Sequence, residues 1–187
     1  MLKVIFRLLI YLFIRLRYYF WKIVLEMNGG SIGRNVRIYE GVKLASTQGC
    51  PIHIGDNVSL EKGVVLSTAE RGKIVIGNNV YIGEYSIITS NEEIEIGDNV
   101  LISPHNDIVD FNHIYHDPRT SINRQGYVAR KIKIEEDVWI GSGSKILMGV
   151  TIGKGAVLGA GSVITKNVPS YHVAAGNPAR TIKLRGD

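Results

Sequence analysis

Two imidazoles stand three residues apart in "DFNHIYHDPRTSINRQGYVARK", residues 110–131: His113 and His116. Imidazole is the side chain whose ordinary pKa lets it take a proton near neutral pH, so either can serve as general base toward a hydroxyl. A base needs something to hold its ring. Asp110, three residues before His113, can do so if the loop curls back, and a backbone carbonyl can do the same. No Ser-His-Asp set for nucleophilic catalysis is evident. His53, His105 and His172 read as surface or packing residues, and no Cys/His spacing fits zinc, so no metal is expected. The one cysteine, Cys50 in "TQGCP", reads as a turn residue; it excludes an intrachain disulfide and fits a reducing, cytoplasmic compartment.

The elements that must position these groups announce themselves by repetition. From Ile32 the chain is a run of near-copies: "IGRNVR", "IGDNVS", "IGNNVY", "IGDNVL", "IGSGSK", "IGKGAV". Ile32, Ile54, Ile76, Ile96, Ile134 and Ile152 are separated by 22, 22, 20, 38 and 18 residues, which is 18 plus insertions of 4, 4, 2, 20 and 0. Three hexads therefore make one turn of a solenoid. Each hexad gives a short strand with its aliphatic residue inward, then small residues at a corner. The periodicity predicts an all-β, three-sided parallel β-helix over residues 28–187, interrupted by the loop at 110–131 and closed by a tail at 169–187. Parallel crossovers are right-handed by default. The open ends of such a stack need covers, and residues 1–27 and the tail after Pro169 are the candidates.

The 187 residues carry a net charge of +5, and its location matters more than its size. Lys3, Arg7, Arg15, Arg17 and Lys22 fall in residues 1–25 without an acid, while the other 17 Lys and Arg are matched by 17 Asp and Glu. A basic face on the folded body, as a nucleic-acid binder needs, is not expected. Turned by about 100° per residue as a helix, residues 1–25 gather the cations into a sector of about 160°. Ile5, Leu9, Leu12, Phe13, Leu16, Phe20 and Ile23 fill the opposite side. The segment is too interrupted by charge to span a bilayer. It reads as an amphipathic helix for an anionic membrane surface, or as one that packs its oily side on the body or a symmetry mate.

"VWIGSGSKILMGVTIGKGAVLGAGSVITKNVPSYHVAAGNPARTIKLR", residues 138–185, resembles the hexapeptide-repeat acetyltransferases, in the style of the galactoside and maltose enzymes and the O-acetyltransferases of surface polysaccharides. The resemblance covers about residues 30–185. It implies a left-handed coil, a homotrimer and acetyl-CoA bound between subunits. It implies His113 as the base, with His116 the alternative. Ser142 would offer its backbone to the oxyanion, with Trp139 bordering the pocket. Ala160 would meet the pantetheine arm, and Thr165, Lys166, Arg180 and Lys183 the nucleotide end. Lys183 replaces an arginine of the galactoside enzymes. Gly83 stands where those enzymes have an acceptor-binding Asn, and Asn91 where they have an Asp, so a galactoside acceptor is not implied; Tyr85 and Asn91 remain candidate sugar contacts.

The reading that follows is O-acetylation of a saccharide in capsule, O-antigen or exopolysaccharide synthesis, cytoplasmic or peripheral on the inner face of the cytoplasmic membrane. N-acetylation of an amino-sugar or sugar nucleotide, acetylation of an antibiotic, and a non-catalytic trimeric scaffold are the alternatives.

Overall fold

The computed structural model describes residues 2–187, apart from the side chains of residues 2–4 and of Arg7. Lys3 and Arg7 of the cationic sector therefore lie outside the described side chains. One helix, α1 (Leu2–Met27), precedes six coils, each giving one short parallel strand to each of three faces. The first face stacks Ser31–Ile32, Ile52–Ile54, Ile74–Ile76, Ile94–Ile96, Ile132–Ile134 and Thr151–Ile152. The second runs from Arg37–Ile38 to Val157–Leu158 and the third from Lys43–Ala45 to Val163–Ile164. Ile32, Ile54, Ile76, Ile96, Ile134 and Ile152 pair in register as one buried column, so the repeat spacing is the coil itself.

Alternation along these strands turns one residue into the lumen and its neighbour to solvent. The first corner turns on Asn35, Asn57, Asn79 and Asn99, with φ of 56 to 59°, a left-handed conformation that Asn tolerates. Their side-chain amides bond coil to coil at 2.9 to 3.1 Å. The insertions all fall at the third corner, where the chain leaves the third face for the next coil. The coil is left-handed. The right-handed preference belongs to crossovers that pack across a sheet; here the chain turns through corners a few residues long.

Both ends are covered. Leu25 of α1 is fully buried, Tyr18 and Trp21 pack on the core, and the Tyr18 hydroxyl donates to the Gly33 carbonyl at 3.1 Å. The helix stops where Gly29 takes φ of 80° and the Gly30 N–H bonds back to Leu25 O at 2.8 Å. At the other end Val168 bridges to Ile152, His172–Gly176 extends the second face, and Ala179–Leu184 folds back antiparallel on it. No described helix is long and apolar enough to cross a membrane.

Ile82 is fully buried and stacked between Leu60 and Ile102. Ile82→Ala is expected to lower the unfolding free energy by about 2–5 kcal/mol, because the neighbouring coils cannot close the void. Urea denaturation measures it, and an unchanged midpoint would contradict a close-packed lumen.

Candidate active site

The largest insertion leaves the third corner between the fourth and fifth coils as a hairpin, Phe111–His113 antiparallel to Tyr127–Ala129. Its first root is Asp110, fully buried because the inward alternation of Ile108 continues through it. A buried carboxylate must find donors. One oxygen accepts from the Asn91 N–H at 2.8 Å, the other from Ser90 Oγ at 2.7 Å and the Glu92 N–H at 3.0 Å. Both oxygens being committed to the coil below, Asp110 does not orient the His113 ring as the spacing led one to expect; it fastens the hairpin that carries it. The second root is Lys131, whose ammonium reaches Glu93 at 2.9 Å and Glu95 at 2.7 Å. That hydrogen bond from Lys131 holds the Glu93 carboxyl below the usual carboxylate range.

On this hairpin His113 lies opposite Tyr127, ring centroids 4.5 Å apart, and Phe111 meets the same tyrosine edge-on at 5.6 Å. The His113 ring is exposed and, among the described residues, takes part in no hydrogen bond, so both nitrogens are open. His116 lies beyond the paired strand, its ring tilted against Tyr115 with centroids 4.7 Å apart. Asn91 belongs to the same corner, one coil below the hairpin.

The second corner carries a different chemistry. At the first corner the N–H groups of Arg34, Asp56, Asn78 and Lys154 are taken by carboxyl or amide side chains of adjacent coils. At the second, the N–H groups of Ser142 and Ala160 find no acceptor among the described residues, and both residues are exposed. Gly141 permits this tight stacking: a Cβ there would stand 2.6 Å from the Ala160 nitrogen. Trp139, outward on the second face and 48 % exposed, donates through Nε1 to Ser103 Oγ at 3.1 Å. One feature of this corner escaped the sequence reading. His105, exposed with φ of 62°, stacks nearly flat on Tyr85, which has φ of 56°, at 5.5 Å and 10° between planes. Nothing stands within 4 Å of the Cβ position at Gly143, so the stack is uncovered on the Ser142 side. The signal was there: Gly41, Gly63, Gly143 and Gly161 hold this left-handed position in the other coils, and only Tyr85 and His105 break the series.

Near the C-terminal end a cleft of about 200 Å³ is lined by Lys166, Asn167, Arg180 and Thr181 among others, so two of the predicted cations do converge. Thr165 is exposed beside it. Lys183 lies off this cleft, its ammonium against the Asp187 carbonyl. Cys50 is buried, its thiol donating to Glu70 O at 3.3 Å, and no metal-ligand cluster occurs among the described residues. Within one chain His113 and Asn91 occupy the third corner, whereas Trp139, Ser142, Ala160, Tyr85 and His105 belong to the second.

Asp110→Ala leaves the Asn91 and Glu92 N–H groups without their acceptor, while Ser90 Oγ keeps only the Lys73 carbonyl at 3.1 Å. It is expected to cost about 1–3 kcal/mol and to raise amide hydrogen exchange in residues 111–129 while the lumen strands stay protected. Uniform exchange across chain and hairpin would show that Asp110 does not anchor the loop.

The bacterial transferase hexapeptide (six repeats) profile matches residues 131–166, and the hexapeptide repeat of succinyl-transferase matches residues 31–68. A galactoside O-acetyltransferase of Escherichia coli is 41% identical over 101 residues, 54% of this chain and 48% of that one. A probable acetyltransferase of Mycobacterium tuberculosis is 38% identical over 104 residues, 56% of this chain and 35% of that one. The chain thus spans half or less of the length of these curated relatives. Among solved structures, a galactoside acetyltransferase in complex with coenzyme A superposes with a TM-score of 0.59 at 32% identity, covering 88% of this chain and 68% of that one. An N-acyltransferase of Bacillus cereus, in complex with dTDP-4-amino-4,6-dideoxyglucose and coenzyme A, gives 0.73 at 25% identity, covering 83% of each. With the six-coil solenoid and its repeat, these likenesses make the chain a member of the hexapeptide-repeat acetyltransferase family.

Proposed function

We propose that this protein is an acetyl-CoA-dependent O-acetyltransferase acting on a saccharide hydroxyl by direct transfer. The observation that carries the reading is the pairing of an open imidazole on a hairpin clamped at both roots with open backbone donors at another corner. His113 takes the hydroxyl proton as the sugar oxygen bonds to the thioester carbon. The oxyanion that forms meets the Ser142 N–H, a donor already fixed by the coil. The carbon–sulfur bond then breaks, and the imidazolium returns its proton to the departing thiolate. Ala160 N–H suits a pantetheine amide, and Lys166 with Arg180 suits the phosphates of the nucleotide end, with Thr165 beside them; Lys183, turned to the Asp187 carbonyl, is not part of that cleft.

Because base and oxyanion donors sit on different corners, the site is complete only where the third corner of one copy meets the second corner of the next. Three copies arranged so make a homotrimer with three sites. The uncovered Tyr85–His105 stack offers a flat face to a sugar ring and Asn91 an amide from the other corner. The pathway is surface-polysaccharide synthesis, with the protein on the inner face of the cytoplasmic membrane through residues 1–25. A second reading, N-acylation of an amino-sugar nucleotide, is favoured by the likeness to the N-acyltransferase over 83% of both chains; an amide rather than an ester in the product would establish it.

His113→Ala is expected to lower kcat by about 10²- to 10⁴-fold with acetyl-CoA binding retained, read by thiol release and by calorimetry; a fully active variant would remove His113 from the role of base. Lys166→Ala combined with Arg180→Ala is expected to raise KM for acetyl-CoA with little change in kcat, since those contacts are made equally in ground and transition states. A kcat effect without a KM effect would contradict it.

A further inference from the structure

The side of α1 that meets the solenoid is the cationic and aromatic one. Tyr18, Trp21 and Leu25 lie along the contact. Ile5, Leu9, Leu12, Phe13, Leu16, Phe20, Ile23 and Met27 point the opposite way and are each between 46 and 78 % exposed. They form a continuous apolar strip about 33 Å long, which soluble surfaces rarely show. At the edge between strip and solenoid, a cleft of about 260 Å³ is lined by Tyr11, Arg15, Tyr18 and Tyr19 of α1 and by Arg34 and Arg37 of the first coil, among others.

The Arg15 guanidinium is held between the Tyr11 and Tyr19 hydroxyls at 3.2 and 3.3 Å, within 5.8 Å of both ring centroids. Arg34 is paired with Asp56 at 2.9 Å, but among the described residues neither Arg15 nor Arg37 has a carboxylate partner. The Arg15 guanidinium, held between two tyrosine hydroxyls, and the unpaired guanidinium of Arg37 across the cleft match the oxygens of a phosphate ester. We propose that this cleft holds the phosphate of an anionic phospholipid headgroup while the apolar strip of α1 lies in the bilayer interface. The proposal rests on the membrane contact put forward above and assigns it a binding site.

The charge pattern selects a lipid surface over a second copy of α1. The only acid on the helix, Glu26, already faces Lys22 at 3.9 Å, so a second α1 laid on the strip brings no free carboxylate to Arg15 and Arg37 at its edge, whereas a phosphate-bearing surface brings the complementary charge. The depth also fits: an interfacial helix sinks its apolar side about 5–10 Å, leaving Arg15, the tyrosines and Arg37 at headgroup level.

Flotation of the full chain with phosphatidylcholine vesicles, and with vesicles of equal parts phosphatidylcholine and phosphatidylglycerol, tests this. The wild-type protein is expected to prefer the mixed vesicles. Arg15→Ala with Arg37→Ala is expected to cut that partitioning about 30-fold, and Arg17→Ala with Lys22→Ala, which removes equal charge outside the cleft, clearly less. Equal losses from the two pairs would overturn the cleft in favour of diffuse attraction. Wild-type behaviour of the Arg15/Arg37 variant, with Phe13→Ser and Phe20→Ser abolishing binding, would overturn the cleft and keep the membrane contact. No binding of the wild type to either vesicle would overturn both. Inorganic phosphate perturbing the tyrosine fluorescence without any vesicle binding would assign the cleft to a soluble anion and overturn the lipid. Should the double variant melt early, Arg37→Gln alone, whose side chain holds no other group, repeats the comparison.

Discussion

The lumen of this triangular coil is filled by inward-pointing Ile, Leu and Val side chains stacked coil on coil, and the rest of the structure is arranged around the register that this stacking demands. Ile32, Ile54, Ile76, Ile96, Ile134 and Ile152 must lie in register for the column to close, and once they do, each corner repeats coil after coil about 4.8 Å apart. A perfectly regular stack presents identical surfaces at every level and can distinguish no ligand. Chemistry enters where the regularity is broken without disturbing the lumen: by an insertion at the third corner, and by aromatic residues where the second corner otherwise has glycine.

The insertion shows how a long loop is given a fixed direction. Twenty extra residues would wander if fastened only by their ends. Asp110 continues the inward alternation, so its carboxylate has to be satisfied inside the stack, and the turn at Ser90–Glu92 supplies the donors. Lys131 closes the other root onto Glu93 and Glu95. The cost of burying a carboxylate is thereby converted into a fixed take-off direction for Phe111–His113, which a solvent-exposed tether would not give.

Much of this was legible in the chain, and what was not has physical reasons. The column, the coil count and the place of the insertion follow from spacing, because an aliphatic residue at every sixth position suits a three-sided coil and fits neither the 3.6-residue period of a helix nor the two-residue period of a flat sheet. Of the two holders open to the His113 ring, Asp110 or a backbone carbonyl, spacing alone cannot choose; alternation sends the Asp110 side chain inward to Ser90, Asn91 and Glu92, away from the exposed ring. His105 reads in the sequence as a surface or packing residue because a repeat position hides what stacks on it one coil away. The helical wheel separated cations from the oily strip on α1 yet could not say which side meets the solenoid. Trp21 and Leu25 share the cationic sector, and their burial against the first coil turns the oily strip outward.

That orientation constrains how the two ends of the molecule can cooperate. With the strip of α1 in a membrane, the solenoid stands on its first coil with its axis pointing away from the bilayer. The hairpin bearing His113 leaves between the fourth and fifth coils, about 15–20 Å along the axis at one strand spacing per coil, and α1 adds about another 10 Å. A hydroxyl on the sugar nearest a lipid anchor would lie well below that imidazole, whereas one several sugars out along an extended chain would lie level with it. In a membrane-bound form the position of the insertion along the coil would thus set the height of that imidazole above the bilayer.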